Sequence, residues 1–261
     1  MILITSKFGA TRQYPDQGMM RRTLAAFLGS LDRQTDKRFR LFISCHDIPE
    51  GFRYPWLEWC PMVVDSECQK TNYWKRFPAN LDDPGQRIVY PYGGKGEDSG
   101  RKTAHSAIMA GQWAYQNNIK DFWMLRMDSD DMLSRDMVET ILKLEDQGFE
   151  AVYNRRCHIF DAKTGEVGEY NYRYSTTCNA IRMRIEGNDL PCWLYLCRNH
   201  TRFISDVRKD RIKANEIDWA YCITTNSGNS ISARPTLTRE KWAKRIKMTD
   251  ELSDRYGLDR F

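Results

Sequence analysis

The run Asp128-Ser129-Asp130-Asp131 holds the side chains best suited to chemistry. Residues two apart in an extended segment project to the same side, so Asp128 and Asp130 can converge on one hard cation. Two carboxylates completed by water and phosphate oxygens suit Mg²⁺ or Mn²⁺, and an ion held there could neutralise a diphosphate as both Lewis acid and template. The competing explanation is that the acids cap the next helix, whose dipole favours negative charge at its start. The apolar run before them, Phe122 to Met127, reads as a buried strand, and this context outweighs the bare D-x-D pattern, which recurs by chance. Asp128 to Glu139 also has the length and ends of an EF-hand loop. Met132 and Leu133 then fall where an oxygen ligand and a turn glycine are required, so that reading fails.

Other candidates carry less. Arg12 lies in the loop after the first strand, within reach of the strand ends. Arg101-Lys102 is as well explained by a solvated helix start as by a phosphate contact. Trp193 and Tyr195 could stack on a sugar, although aromatics in a strand are more often core. Of the four histidines, His46, His105, His158 and His200, His105 and His200 read as structural or surface residues rather than ligands. The eight cysteines lie far apart with no C-x-x-C pair, which argues for reduced, mostly buried thiols rather than zinc or redox chemistry.

The elements that must position these residues follow from periodicity. Ile2 to Thr5 reads as a first strand, Gly18 to Leu31 as a helix through Met20, Leu24, Phe27, Leu28 and Leu31, and Phe39 to Ser44 as a second strand. This β-α-β opening implies a parallel pair whose carboxyl ends, at Thr5-Ser6 and Cys45-His46-Asp47, face one side. Pro49 to Gly100 reads as irregular loops around one or two short strands. A helix is expected from about Lys102 to Asn117, its Ala104, Ala107, Ala110, Gly111 and Ala114 permitting close packing on a sheet. After the acidic run, Ser134 is placed to cap a helix carrying Met137, Ile141, Leu142 and Leu144. Phe149 to Tyr153 reads as a strand, Cys157 to Tyr170 as a hairpin turning at Ala162 to Gly165, and Thr176 to Arg184 and Trp193 to Cys197 as further strands. A helix is expected from near Asn215 to about Thr224, with Glu216 and Asp218 in its first turn, and another over Arg239 to Tyr256.

Composition narrows the function classes. Forty Lys and Arg against 35 Asp and Glu give a net charge of +5, scattered rather than massed, which is no nucleic-acid signature and would suit an anionic small ligand. The aromatic share of 12% argues for a packed core. No apolar run reaches membrane-spanning length, and MILITSKFG lacks a basic leader, so a cytoplasmic location is expected. The absence of repeats points to one domain over residues 1–238, with a half to about 133 and another from 134, followed by a helical tail over 239–261.

The order of features resembles the GT-A superfamily of glycosyltransferases, especially inverting family-2-like enzymes and bacterial proteins named as rhamnosyltransferases. The resemblance spans roughly Ile2 to Thr224 and rests on ILITS, SLDRQTDKRFRLFISCHD, SGRKTAHSAIMAGQWA leading into FWMLRMDSDDML, and EIDWAYC. It implies a three-layer, Rossmann-like α/β fold on a mainly parallel sheet, with an added β-hairpin region and a C-terminal helix. The implied activity is transfer of a sugar from a nucleotide-sugar donor, with UDP preferred, to a glycan or other hydroxyl acceptor. By the same resemblance the 1–133 half binds nucleotide and 134–238 serves the acceptor. Asp47 would contact the nucleoside and Lys102 the base or phosphates. Asp128 would meet the ribose and a metal-bound water, and Asp130 the Mn²⁺ or Mg²⁺ itself. Thr5, Arg12 and Ser129 complete the donor-binding set at the strand ends. Asp218 of EIDW matches the acid that takes the acceptor's proton. The chain departs from the family in CHDIPE at the second strand's end and in the isoleucine between Glu216 and Asp218, which leaves the base open between these two carboxylates, with Asp218 preferred for the aromatic that follows it. No histidine follows Asp218 to serve as a third metal ligand. A nucleotidyltransferase would share the strand-end acids, but its early Gly-rich basic loop is missing. A non-catalytic carbohydrate- or calcium-binding module would explain the aromatics and acids without turnover.

Overall fold

Strand β1 (Ile2–Lys7) is apolar on both faces because both are covered. Ile2 and Ile4 pack with Met20, Leu24, Phe27, Leu28 and Leu31 of helix α1 (Gln17–Asp32), whereas Leu3 packs with Ala104, Ala107, Ile108, Ala110 and Ala114 of α2 (Glu97–Gln116). The period-2 alternation of a strand thus meets the 3.6 period of a helix on either side, and each fully buried aliphatic contributes about 1.5–3 kcal/mol. The structure is a computed structural model describing residues 1–8, 16–61, 97–171, 176, 178–185, 202–225 and 244–258, with backbone alone for 97–101. Among these residues it is an α/β fold of two mixed sheets and five helices.

The larger sheet also contains β2 (Phe39–Cys45), β3 (Leu57–Pro61), β4 (Asp121–Arg126), β6 (Ala151–Tyr153), β9 (Asn179–Arg184) and β10 (Ala214–Glu216), in the order β10-β6-β9-β4-β1-β2-β3. β1 pairs in parallel with β2 and β4, β2 with β3, and β6 with β10. β9 runs antiparallel to both β4 and β6. Two reversals restore direction, so β6 and β10 point the same way as β1 to β4, and every strand except β9 ends at one edge. The chain winds outward from β1 to β2 and β3, then returns to place β4 on β1's other side. That reversal leaves a crevice between the carboxyl ends of β1 and β4, where ligands of open α/β sheets bind.

The smaller sheet has the order β12-β8-β7-β11-β5 and uses β5 (Met132–Leu133), β7 (Arg156–Asp161), β8 (Val167–Asn171), β11 (Tyr221–Thr225) and β12 (Lys244–Ile246). The expected hairpin is β7–β8, its turn closed by Asp161 Oδ1 accepting the N–H groups of Lys163 and Thr164, with Gly165 at φ 70°. Helix α3 (Met137–Glu145) covers the α1 face, and α4 (Phe203–Lys209) the α2 face. The C-terminal α5 (Asp250–Tyr256) packs Leu252 and Tyr256 against Met132, Phe160 and Cys222.

Three expectations are corrected. Ser134 does not cap α3: its N–H donates to Ala220 O at 2.9 Å, and the residue preceding the helix is Asp136, whose side chain makes no capping bond. Gln34, 2% exposed beyond the end of α1, does that work, its Oε1 accepting from Val138 N–H at 3.0 Å and its Nε2 donating to Ser134 O at 2.7 Å. The helix expected over 215–224 is instead β10, a turn and β11, because β11 finds partners on both sides in β5 and β7. The charged C-terminal stretch is only partly helical, since Lys244–Ile246 pairs with β8 before α5 begins. The strand expected at Trp193 to Cys197 lies outside the described residues.

Candidate active site

Four strand ends build the site. β1 finishes in Thr5, Ser6 and Lys7, and Thr5, 1% exposed, donates its hydroxyl to Leu125 O at 3.4 Å, stitching β1 to β4. Lys7 at the strand's tip places Nζ 2.8 Å from Asp128 Oδ1, with both side chains about a quarter exposed (23% and 26%). Asp47 lies just past β2, half-buried. Lys102 on α2 is 2% exposed, an unusual depth for an ammonium. Both groups act on Cys45: burial pushes its thiol up to about 11, the Asp47 carboxylate pushes the same way, and the Lys102 ammonium opposes them. One helical turn after Lys102, His105 meets Ser44 Oγ through Nδ1 at 2.8 Å, and burial lowers its pKa. That contact pins α2 to the end of β2.

The acidic run divides its labour. Asp128, Ser129 and Asp130 are half-buried in the loop after β4, while Asp131 turns inward and is 5% exposed. Its Oδ2 accepts the Tyr221 hydroxyl and its Oδ1 the N–H of Thr224 at 2.9 Å. Burial drives its carboxyl well above the usual range, helped by the charges of Asp130 and Asp128 and opposed by the two hydrogen bonds. Met132 and Leu133 then pair with Cys222 and Tyr221. The acids after β4 are therefore zipped directly to the segment that follows Asp218.

Glu216 ends β10, and Asp218 lies two residues beyond it, at the same sheet edge as the carboxyl end of β4. Glu216 takes a bidentate bond from Arg155, at 2.8 Å to Oε1 and 2.5 Å to Oε2. Burial alone would raise its pKa, but the Arg155 bonds and charge leave it lowered. Asp218, 33% exposed, sits 3.4 Å from an Arg156 nitrogen. The next residue, Trp219, adopts left-handed backbone with φ 60°, which costs a bulky residue about 1–2 kcal/mol. Its N–H donates to Arg156 O at 2.9 Å and its carbonyl accepts the Tyr256 hydroxyl at 2.5 Å.

The structure thus brings Thr5, Asp47, Lys102, Asp128, Ser129, Asp130 and Asp218 to one edge of the sheet, although Thr5 and Lys102 are buried there. Arg12, Trp193, Tyr195 and His200 lie outside the described residues. Lys7, Asp131, Tyr221 and Tyr256 were not singled out by sequence. A lysine closing an apolar strand was the available signal for Lys7, and the fourth letter of DSDD for Asp131. The hard oxygens of Asp128 and Asp130 suit Mg²⁺ or Mn²⁺. Among the described residues, no three His, Cys, Asp or Glu side chains could hold an ion by themselves. An ion on this pair would need donor oxygens and water to complete its shell.

No protein-family model matches the chain, and neither does any curated protein. Among solved structures, a Desulfovibrio desulfuricans G20 protein provisionally named a nucleotide-diphospho-sugar transferase aligns over 99% of this chain and 95% of its own, at 12% identity and a TM-score of 0.38. A likeness that distant carries no weight for fold or activity. No described helix is long and apolar enough to cross a membrane.

Proposed function

We propose that the chain is a GT-A-type glycosyltransferase that moves a sugar from a nucleotide-diphosphate donor, with a UDP-sugar preferred, to a hydroxyl acceptor with inversion. One observation carries this reading. The acids at the β1/β4 crevice and the acid beyond β10 are fastened to each other by the β5–β11 pair and by Asp131, so an anion-gripping group and a proton acceptor share one sheet edge. Crevices of this kind are where nucleotides bind in open α/β sheets.

Asp128 and Asp130 would hold Mg²⁺ or Mn²⁺, which when bound supplies charge neutralisation for the departing diphosphate. Lys7, beside Asp128, offers a second positive charge to the same phosphates. Thr5, Arg12, Asp47, Lys102 and Ser129 form the donor-binding set, with residues 1–133 serving the nucleotide and 134–238 the acceptor. Asp218 takes the proton of the acceptor hydroxyl as its oxygen bonds to the anomeric carbon, and the bond to the diphosphate breaks with its electron pair leaving on the nucleotide.

The test is a thermal-shift screen of nucleotides and nucleotide sugars with and without Mn²⁺, paired with chromatography of the released products. Metal-dependent stabilisation and slow UDP release, both lost in Asp130→Ala, are expected. Pyrophosphate release would establish a nucleotidyltransferase instead. Stabilisation by ligand without turnover, or equal stabilisation of both proteins, would remove the assignment.

A further inference from the structure

We infer that Tyr256, on the C-terminal helix, is a positioning residue for Asp218, acting through the backbone of Trp219. The inference rests on the reading of Asp218 as the proton acceptor and adds to it a residue 38 positions away in sequence.

The left-handed backbone of Trp219 is the starting observation. A bulky residue stays in that region only where its surroundings over-determine it, and such strain concentrates at functional sites. Three contacts hold it. Its N–H donates to Arg156 O at 2.9 Å, its carbonyl accepts the Tyr256 hydroxyl at 2.5 Å, and its ring lies against the His158 imidazole with centroids 4.9 Å apart. The two hydrogen bonds orient the peptide planes on either side of Trp219. The first of those planes joins Trp219 to Asp218, so it also sets the direction in which the Asp218 side chain leaves the backbone. Arg156 serves twice, its carbonyl taking the Trp219 N–H and its guanidinium lying 3.4 Å from Asp218.

Proton counting defines the rest of the network. A tyrosine hydroxyl has one proton, and here it goes to the Trp219 carbonyl. His158 Nδ1, 2.8 Å from the same oxygen, must then be the donor, which selects the tautomer with hydrogen on Nδ1. Burial and the nearby Arg255 charge, opposed by Glu169, lower the His158 pKa to about 4, so the ring is neutral at physiological pH.

Tyr256 is itself firmly placed. Its side chain is fully buried, α5 is capped by Thr249 accepting from Leu252 N–H, and the helix ends at Gly257, with φ 73°. The left-handed backbone at Gly257 favours glycine there, whereas a Cβ would only come into ordinary contact with the Arg33 guanidinium at 3.4 Å. The helix docks on Met132 and Cys222, partners in the β5–β11 pair that joins the two acidic segments.

Tyr256→Phe removes the hydroxyl and keeps the ring. Its expected effect on donor hydrolysis, with water as acceptor, is a fall in kcat of about tenfold at unchanged donor KM, the size of one hydrogen bond's contribution. Asp218→Asn alone should fall further, and the double variant Y256F/D218N should be no slower than D218N, because the two residues act as one unit. Hydrogen exchange supplies a readout independent of turnover: the Trp219 amide should exchange faster in Y256F while Tyr221 is unchanged. His158→Gln, which leaves the Tyr256 hydroxyl in place, should shift both readouts in the same direction but less. Wild-type kcat in Y256F, an additive loss in the double variant, or unaltered exchange at Trp219 would each overturn the inference. Wild-type turnover in D218N would overturn the assignment of Asp218 itself, even where the Trp219 amide loosens in Y256F.

Discussion

Lys7 at the tip of β1 and Asp128 in the loop after β4 form an ion pair of 2.8 Å across the point where the sheet reverses its winding. The carboxylate expected to face a divalent ion therefore already faces an ammonium, and a cation that binds Asp128 must compete with it.

Lys7→Met should accordingly raise the affinity of the nucleotide-free protein for Mn²⁺ by about two- to fivefold, matching the fraction of a kcal/mol to about 1 kcal/mol that partly exposed pairs contribute. The same substitution should weaken UDP-sugar binding, since a charge beside the diphosphate is lost. Calorimetric titration with Mn²⁺ alone and then with nucleotide measures both. Unchanged Mn²⁺ affinity would show that Lys7 does not guard Asp128.

The raised carboxyl pKa of Asp131 carries a stability consequence. A group that binds its proton more tightly when folded stabilises the protein fully below the unfolded value, about 3.9, and that stabilisation is lost as pH rises through the folded value. Asp131→Asn removes the titration. The stability of wild type relative to the variant should therefore decline as pH rises above about 4. Denaturation of both proteins across pH 4 to 8 tests the sign, and a difference that grows with pH would contradict it.

Gln34→Ala should cost about 1–3 kcal/mol, because it strands the buried N–H of Val138, whereas Ser134 O keeps the bond from Met137 N–H. Asp136→Ala, at the nominal start of α3, removes no capping bond and should cost under about 0.5 kcal/mol. Urea denaturation of the pair distinguishes capping by the distant Gln34 from capping by the local side chain.

Asp218→Asn and Glu216→Gln separate the two acids of EIDW. The bidentate Arg155 bond commits Glu216 to structure, so Glu216→Gln should leave kcat within about threefold, whereas loss of a general base at Asp218 should lower it by about 10²–10⁴-fold. Steady-state UDP release decides between them, and the reverse ranking would move the proton acceptor to Glu216.

Much of the frame was legible beforehand. The strands at Ile2, Phe39 and Phe122, the helix at Gly18 and the hairpin near Gly165 appear where periodicity and turn residues place them, whereas the helix expected from Lys102 begins earlier, at Glu97. Ile217, Ala220, Tyr221 and Thr224 fall on a helical spacing, which is why the pattern from Asn215 suggests a helix where the chain forms strands. The β-branched and aromatic content of YCITT points to a strand, and its burial between β5 and β7 decided the outcome.

Sequence alone determined that Asp128 and Asp130 stand at the carboxyl end of a buried strand, because an apolar run of that length and its polar end are local properties. It takes the folded chain to turn Asp131 inward to Tyr221, to close Lys7 on Asp128, and to bring Tyr256 to the carbonyl of Trp219. Each of those contacts joins residues far apart in the chain, and a carboxylate, an ammonium or a hydroxyl carries no mark of its partner until folding removes the water that would otherwise satisfy it.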